Sequence, residues 1–331
     1  MLNTSSWEWN EQTIDDFLSL RFSEDETRSL LASLTPDRIT LGIFQAFVNG
    51  MQAKALAIPR VDVKTLDCCG TGGSGIPRFN TSTTAAFIMA AGGVPVVKFG
   101  NRAASSKSGS FDLLELLGIP ATWPLEALPE LLETCGLVFL YAPQVYSELS
   151  GFMTLRRALG VPTIFNSMGP LLNPLQPAYR LLGASSPIMQ KMLADFLSHD
   201  RHTEHAWVLR ASSGLDELVS DELNCVYTVT QHSQKMIDLN FSSNKDLLLK
   251  APSNSHTPEE NHLIFKELVS SEDNVSPHYE NVCLNAGAGL YVSGKAASLE
   301  AGIQQAKQLM VDGSVQNTYN KVRKAYENLS R

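Results

Sequence analysis

The sequence predicts an α/β fold on a mainly parallel sheet, preceded by helices. Three observations predict it. From about residue 61 onward, short apolar runs of strand length alternate with helical runs. A glycine-rich segment lies between the first such strand and the helix that follows it. The residues before it carry helix-start signals.

The N-terminal signals come first. Ser23 is followed three residues later by Glu26, the spacing of a capping box, and leads into Thr27 to Leu34. Thr35-Pro36-Asp37-Arg38 opens a second helix that runs through Ile43 to Val48. Strand candidates follow at Val61–Cys68, Val94–Lys98, Val138–Tyr141, Arg180–Ala184, Trp207–Ala211 and Val226–Thr230. Helices are expected over Ser82–Ala91, capped at Ser82 or Thr83, and over Phe111–Leu117, capped by Ser108 or Ser110. Asn281–Val292 and Ala296–Asp312 read as two further helices. Ser242 to Glu259, rich in Ser, Asn and Pro, reads as a mobile surface loop.

The segment Asp67-Cys68-Cys69-Gly70-Thr71-Gly72-Gly73-Ser74-Gly75 carries most of the chemistry. So many glycines favour a tight turn that lets the backbone approach a ligand closely. A strand, a glycine turn and a helix N-terminus in that order make an anion site, because bare N–H groups and the helix dipole face one point. A phosphate or pyrophosphate fits there. Gly70-x-Gly72-x-x-Gly75 also satisfies a dinucleotide-binding pattern, but the next strand ends in Lys98 and not in the acidic residue a ribose diol needs. No Lys-Ser or Lys-Thr follows Gly75, which excludes a Walker loop. A second polar cluster, Lys98 to Ser110, interleaves Lys98, Arg102 and Lys107 with hydroxyls and glycines, as an oxyanion-rich ligand requires.

Composition narrows the class. A chain of 331 residues can hold one large and one small domain, and 44% hydrophobic with 18% charged residues is ordinary for a soluble enzyme. A formal charge of −8 argues against broad nucleic-acid binding, though not against a local basic patch. The apolar stretches are too short to span a bilayer, and Met1 to Ser6 lacks the regions of a signal peptide. Five cysteines with an adjacent Cys68-Cys69 pair do not form a disulfide framework, so a reduced, cytoplasmic protein is expected. His199, His202 and His205 read as a charged helix end rather than a metal site.

The motifs, taken in order, resemble the anthranilate phosphoribosyltransferase family. They are Gly70-Thr71-Gly72-Gly73, Asn80-Thr81-Ser82-Thr83, Gly100-Asn101-Arg102 with Ser105 to Gly109, Thr163 to Pro174, Gly214-Leu215-Asp216-Glu217, and Asn285 to Lys295. The resemblance runs from about residue 62 to the C-terminus. It implies a small helical domain, 1–60 completed by part of 148–178, a large α/β domain, 61–331, and an active site in the cleft between them. It implies transfer of 5-phosphoribosyl from phosphoribosyl pyrophosphate (PRPP) to anthranilate in tryptophan biosynthesis, with Mg²⁺ as cofactor, by a homodimer. By matching positions, Gly70, Thr71, Gly72, Gly73, Asn80, Ser82, Thr83, Lys98, Ser106, Lys107, Ser108 and Gly109 would hold PRPP. Ser82, Asp216 and Glu217 would hold the metal, a hard ion that wants oxygen ligands. Arg156 would face the anthranilate carboxylate, and Asn101, Gly169 and Pro170 would line the acceptor path.

The chain departs from the family pattern at three places. Ser74 stands where the family has Asp, and Phe99 and Tyr146 stand where it has His. Phe99 could stack on an aromatic acceptor or pack beneath the loop, and Tyr146 could hydrogen-bond a carboxylate or amine. Two other readings therefore stay open: a relative with a diverged acceptor, another aromatic amine or a nucleobase, and a non-catalytic member that binds a ligand or nucleic acid.

Overall fold

The computed structural model describes residues 8–76, 79–103, 107–161, 163–241, 256–270 and 278–329. Its sheet has seven strands: β1 (Leu66–Gly70), β2 (Val96–Gly100), β3 (Leu137–Tyr141), β4 (Tyr179–Gly183), β5 (His205–Ala211), β6 (Leu223–Thr230) and β7 (Ser233–Asn240). They lie in the order β3-β2-β1-β4-β5-β6-β7. The first five in that order are parallel, and β6 and β7 are antiparallel. The chain builds outward from β1 in one direction through β2 and β3, then returns to place β4 on the other side. The strand order therefore reverses between β1 and β4, and a crevice opens there at the carboxyl ends.

Fourteen helices accompany the sheet among the described residues: α1 (Glu11–Leu18), α2 (Glu24–Ser33), α3 (Leu41–Gln52), α4 (Thr81–Ala91), α5 (Ser110–Leu116), α6 (Leu128–Cys135), α7 (Ala142–Val145), α8 (Leu149–Leu159), α9 (Ile164–Met168), α10 (Pro187–His199), α11 (Pro258–Ser270), α12 (Tyr279–Val292), α13 (Leu299–Val311) and α14 (Ser314–Leu329). None of them is long and apolar enough to cross a membrane. α4 and α12 are buried nearly all round, consistent with their small and apolar compositions, and they pack on each other.

The capping box at Ser23 forms as its spacing predicts. The Ser23 N–H donates to Glu26 Oε2 at 3.0 Å and the Glu26 N–H to Ser23 Oγ at 3.4 Å. Helices α1 to α3 do not stand alone. Phe17 of α1 lies 5.2 Å from Phe152 of α8, and Phe152 lies 4.7 Å from Phe165 of α9. The Ile164 N–H donates to the Leu34 carbonyl at 2.7 Å. The middle of the chain thus returns to cover the N-terminal helices.

Some element boundaries differ from the sequence reading. β1 begins at Leu66 rather than Val61, where β2 and β4 first supply ladder partners. β7 escaped the sequence reading because nothing along it is fully buried; pairing with β6 across a two-residue turn holds it, with His232 at φ +60°. Residues 242–255 of the expected surface loop lie outside the described residues, and α11 begins at Pro258.

β4 carries a charge into the interior. Arg180 is 1% exposed, and its Nη2 lies 3.3 Å from Oδ2 of Asp200, the residue that ends α10. Burial pushes the guanidinium pKa down, while Asp200 and then Asp67, its register partner on β1, push it back up.

Candidate functional site

The glycine loop leaves β1 at the point where the strand order reverses. Gly72 and Gly73 sit at φ +64° and +77°, left-handed conformations that any side chain would strain. The Gly72 N–H donates to Asp216 Oδ2 at 2.8 Å. The acidic pair after β5 thus meets the loop after β1, although 144 residues separate them. The two strands are shaped for this. Gly70 and Gly183 are register partners on β1 and β4. A Cβ on Gly70 would lie 2.1 Å from Asp216 Oδ2, and one on Gly183 would lie 1.8 Å from the Asp216 carbonyl oxygen. Only glycine at both positions leaves room for Asp216 as it is placed. Thr71 is pinned beside them: its N–H donates to the Gly183 carbonyl at 2.9 Å, and its Oγ1 accepts from the Ser185 N–H at 3.0 Å. Asp216 is buried and Glu217 half-buried.

The second cluster closes on the first. Asn80, not Ser82 or Thr83, is the N-cap of α4. Its side-chain amide does not cap the helix; it donates to Ser108 Oγ at 3.1 Å, and so joins the two polar loops. The Asn80 N–H donates to Asn261 Oδ1 on α11 at 3.0 Å. Gly109, not Ser108 or Ser110, is the N-cap of α5. Asp112 supplies the acceptor there, taking the Gly109 N–H at 2.7 Å and the Ala103 N–H at 2.9 Å. Lys107 is exposed, Thr83 is 1% exposed inside α4, and Ser106 lies outside the described residues.

Lys98 points into the protein. It is 3% exposed; its Nζ donates to the Cys68 carbonyl and, at 3.2 Å, to Ser82 Oγ. A buried ammonium needs such partners. It therefore lies beneath the first turn of α4 rather than projecting into solvent.

The acceptor-side residues divide. Asn166 of α9 comes within 3.8 Å of the Cβ position on Gly73, so the middle helices wall the glycine loop. Gly169 and Pro170 form a 3-10 turn at the end of α9. Asn101 Oδ1 accepts from the Arg102 N–H at 2.8 Å, and Arg102 pairs with Glu115 at 2.5 Å. Arg156 on α8 lies over the Phe165 ring at 5.5 Å. Burial pushes its pKa down. No carboxylate pairs with it among the described residues. Phe99 and Tyr146 go elsewhere. Tyr146 is fully buried, its hydroxyl donates to the Leu172 carbonyl at 2.7 Å, and its ring meets Phe99 edge-on at 5.9 Å. Phe99 is 5% exposed. Both pack in the core, the alternative already open for Phe99. Ser74 Oγ accepts from the Ile76 N–H at 3.3 Å and so shapes the loop locally.

The three histidines near residue 200 do not converge. His205 is taken by the Val292 carbonyl and Thr228 Oγ1, and His199 by the Asp195 carbonyl. Another histidine flanks the phosphate loop. His278 stacks on Phe79 at 4.9 Å, and burial followed by the neighbouring His256 lowers its pKa to about 4. It is therefore neutral when folded and takes a proton more readily when unfolded. Stability should be whole above the ordinary imidazole pKa near 6.5 and fall as pH drops from there toward about 4. Urea titrations across that range should show the loss, and His278→Gln should flatten this part of the profile.

Comparison with known proteins agrees with this architecture. A family model described as "Glycosyl transferase family, a/b domain" matches residues 62–316. The anthranilate phosphoribosyltransferase of Lactococcus lactis subsp. cremoris (strain SK11) is 35% identical over 297 residues, covering 88% of this chain and 87% of that protein. That of Lacticaseibacillus paracasei is 35% identical and covers 98% and 92%. The crystal structure of the anthranilate phosphoribosyltransferase from Thermus thermophilus superposes with a TM-score of 0.82 at 31% identity, covering 96% of this chain and 94% of that one. The Saccharomyces cerevisiae enzyme in complex with PRPP and Mg shares the fold, with a TM-score of 0.82 at 24% identity and coverage of 96% and 93%. With the glycine loop, the acidic pair and the helical wall meeting at the carboxyl ends of the central strands, and with this likeness over most of its length, the chain belongs to the anthranilate phosphoribosyltransferase family.

Proposed function

We propose that this protein transfers the 5-phosphoribosyl group of PRPP to the amino group of anthranilate, releasing pyrophosphate, with Mg²⁺ that Asp216, Glu217 and Ser82 would hold. The observation that carries this reading is the bond from the Gly72 N–H to Asp216, because it joins a phosphate-shaped loop to a pair of carboxylates. The donor set fits the ion. Asp216, Glu217 and Ser82 offer hard oxygens, and no group of three His, Cys, Asp or Glu that could cage a metal occurs among the described residues. Mg²⁺ is commonly held in this way, by one or two carboxylates together with substrate phosphates. Bound there, the ion would neutralise charge that develops on the departing pyrophosphate.

The chain's own groups do the rest. The Gly70–Gly73 loop lets its backbone approach the pyrophosphate closely, with Asn80 and Ser108 across from it, while the Thr71 and Gly72 N–H groups serve the Gly183 carbonyl and Asp216. Lys98 supplies positive charge from beneath. Catalysis then consists of orienting the acceptor amine against ribose C1 while the leaving group is stabilised, with no covalent protein intermediate. Arg156 supports a carboxylated acceptor, since a desolvated guanidinium without an acidic partner is suited to receive one. The division into a helical domain, 1–60 with part of 148–178, and an α/β domain, 61–331, belongs to the same reading, as do a homodimer and a cytoplasmic location.

Anthranilate fluorescence, followed with PRPP and Mg²⁺ present, tests the reaction directly. A protein- and Mg²⁺-dependent loss is expected. No loss at high enzyme concentration would reject anthranilate as acceptor. Arg156→Ala should raise the anthranilate KM about tenfold or more, with the PRPP KM within about twofold. Equal effects on both would make Arg156 a packing residue.

A further inference from the structure

The segment that follows the acidic pair has no regular secondary structure, yet its backbone is held by three asparagine side chains. Asn285 Oδ1 accepts from the Leu218 N–H at 3.0 Å, and Asn285 Nδ2 donates to the Leu218 carbonyl at 2.8 Å. Asn224 treats Val219 in the same way, accepting its N–H at 2.8 Å and donating to its carbonyl at 2.8 Å. Asn281 Oδ1 accepts from the Ser220 N–H at 3.0 Å. Three consecutive N–H groups are thus each taken by a buried amide.

The helix that carries two of these amides is itself fixed. On α12, a Cβ on Gly287 would lie 2.5 Å from the Ile303 backbone nitrogen of α13, and one on Gly289 would lie 1.9 Å from Met89 Sδ of α4. Such close packing leaves α12 little room to shift. The N-cap of α4, Asn80, lies within the phosphate cluster. α12 therefore touches the helix that starts at one half of the site and grips the segment that ends the other half.

We propose that Asn281 and Asn285, with Asn224, are positioning residues that set the Asp216-Glu217 carboxylates against the glycine loop. An amide suits the task because it donates and accepts at once. It is also neutral, so it holds the backbone without repelling the two carboxylates beside it. An aspartate could accept the Leu218 N–H but could not donate to its carbonyl, and it would add negative charge. The inference rests on the metal-assisted reading given above.

The test compares Asn285→Leu and Asn281→Ala with Asp200→Asn, a destabilising change at the Arg180 end of β4, the other end of the strand from Gly183. In Asn285→Leu, hydrogen exchange in peptides covering residues 215–222 should quicken by about tenfold or more while α12 and α13 stay protected. Its apparent KM for Mg²⁺ should rise by about tenfold, with the anthranilate KM within about twofold. Asn281→Ala should show the same pattern more weakly. Unchanged exchange over residues 215–222 overturns the grip, whether or not the wild-type protein turns over. Faster exchange with an unchanged Mg²⁺ dependence overturns the positioning role. A shift in the Mg²⁺ KM of Asp200→Asn equal to that of Asn285→Leu would mean general loosening, and overturns it as well. A wild-type protein without Mg²⁺-dependent turnover would reject the functional reading, leaving the exchange result to decide the grip alone.

Discussion

Replacing Asp216 by Asn and Glu217 by Gln is expected to lower kcat/KM for PRPP by roughly 10²- to 10⁴-fold at saturating Mg²⁺, the range seen when a group that stabilises developing charge is removed. The choice of amides over alanine follows from the structure. Asp216 Oδ2 accepts the Gly72 N–H at 2.8 Å, and an asparagine oxygen can do the same. Alanine would leave that N–H without its partner and disturb the loop, at a cost of about 1–3 kcal/mol. The amide pair removes charge and keeps shape, so the thermal midpoint should move little. Steady-state kinetics at graded Mg²⁺ would show the loss, and near-normal turnover would take both residues out of the metal site.

The largest stability effect should come from Asp200→Asn. Arg180 is 1% exposed and Asp200 12% exposed in their 3.3 Å contact. Removing one partner of a buried pair strands the other's charge, at a cost of roughly 3–5 kcal/mol. Asp67, on the neighbouring strand, offsets a part of this. Asp200 also accepts the Thr203 hydroxyl at 2.8 Å, a bond an amide oxygen can retain. A loss of about 3 kcal/mol is therefore expected, and urea unfolding would measure it. Replacing both partners, with Arg180→Met and Asp200→Leu, should recover most of the loss, because neither charge of the pair is then left to bury and Asp67 keeps Lys98 and Asn173 as partners. A single-variant cost under about 0.5 kcal/mol would contradict the account, since that is the range of ordinary surface changes.

What the sequence reveals here is chiefly local chemistry. The glycine loop and the Ser23–Glu26 box depend on neighbours in the chain, and both form as their spacing implies. The alternation of strands and helices is visible because parallel strands buried on both faces read as short apolar runs. Long-range partners are hidden. Lys98 reads as a basic residue at a ligand edge, and only the fold shows it turned toward Cys68 and Ser82. Phe99 and Tyr146 read as altered acceptor contacts, and only packing shows them against each other. The asparagine grip joins residues 67 positions apart, and although Asn285 opens one of the family motifs, nothing in the chain shows which backbone its amide meets. β7 lacks a buried face that alternation could betray.

The glycines at 70 and 183 constrain how the chain can drift. They are partners across two strands, yet they guard Asp216 differently. A methyl group at 70 would collide with the carboxylate itself, whereas one at 183 would collide with the Asp216 backbone. A descendant that abandoned the acid would therefore become free to vary at 70 while remaining fixed at 183. The two positions answer to separate constraints: glycine at 70 makes room for the acid itself, and glycine at 183 for the backbone that carries it.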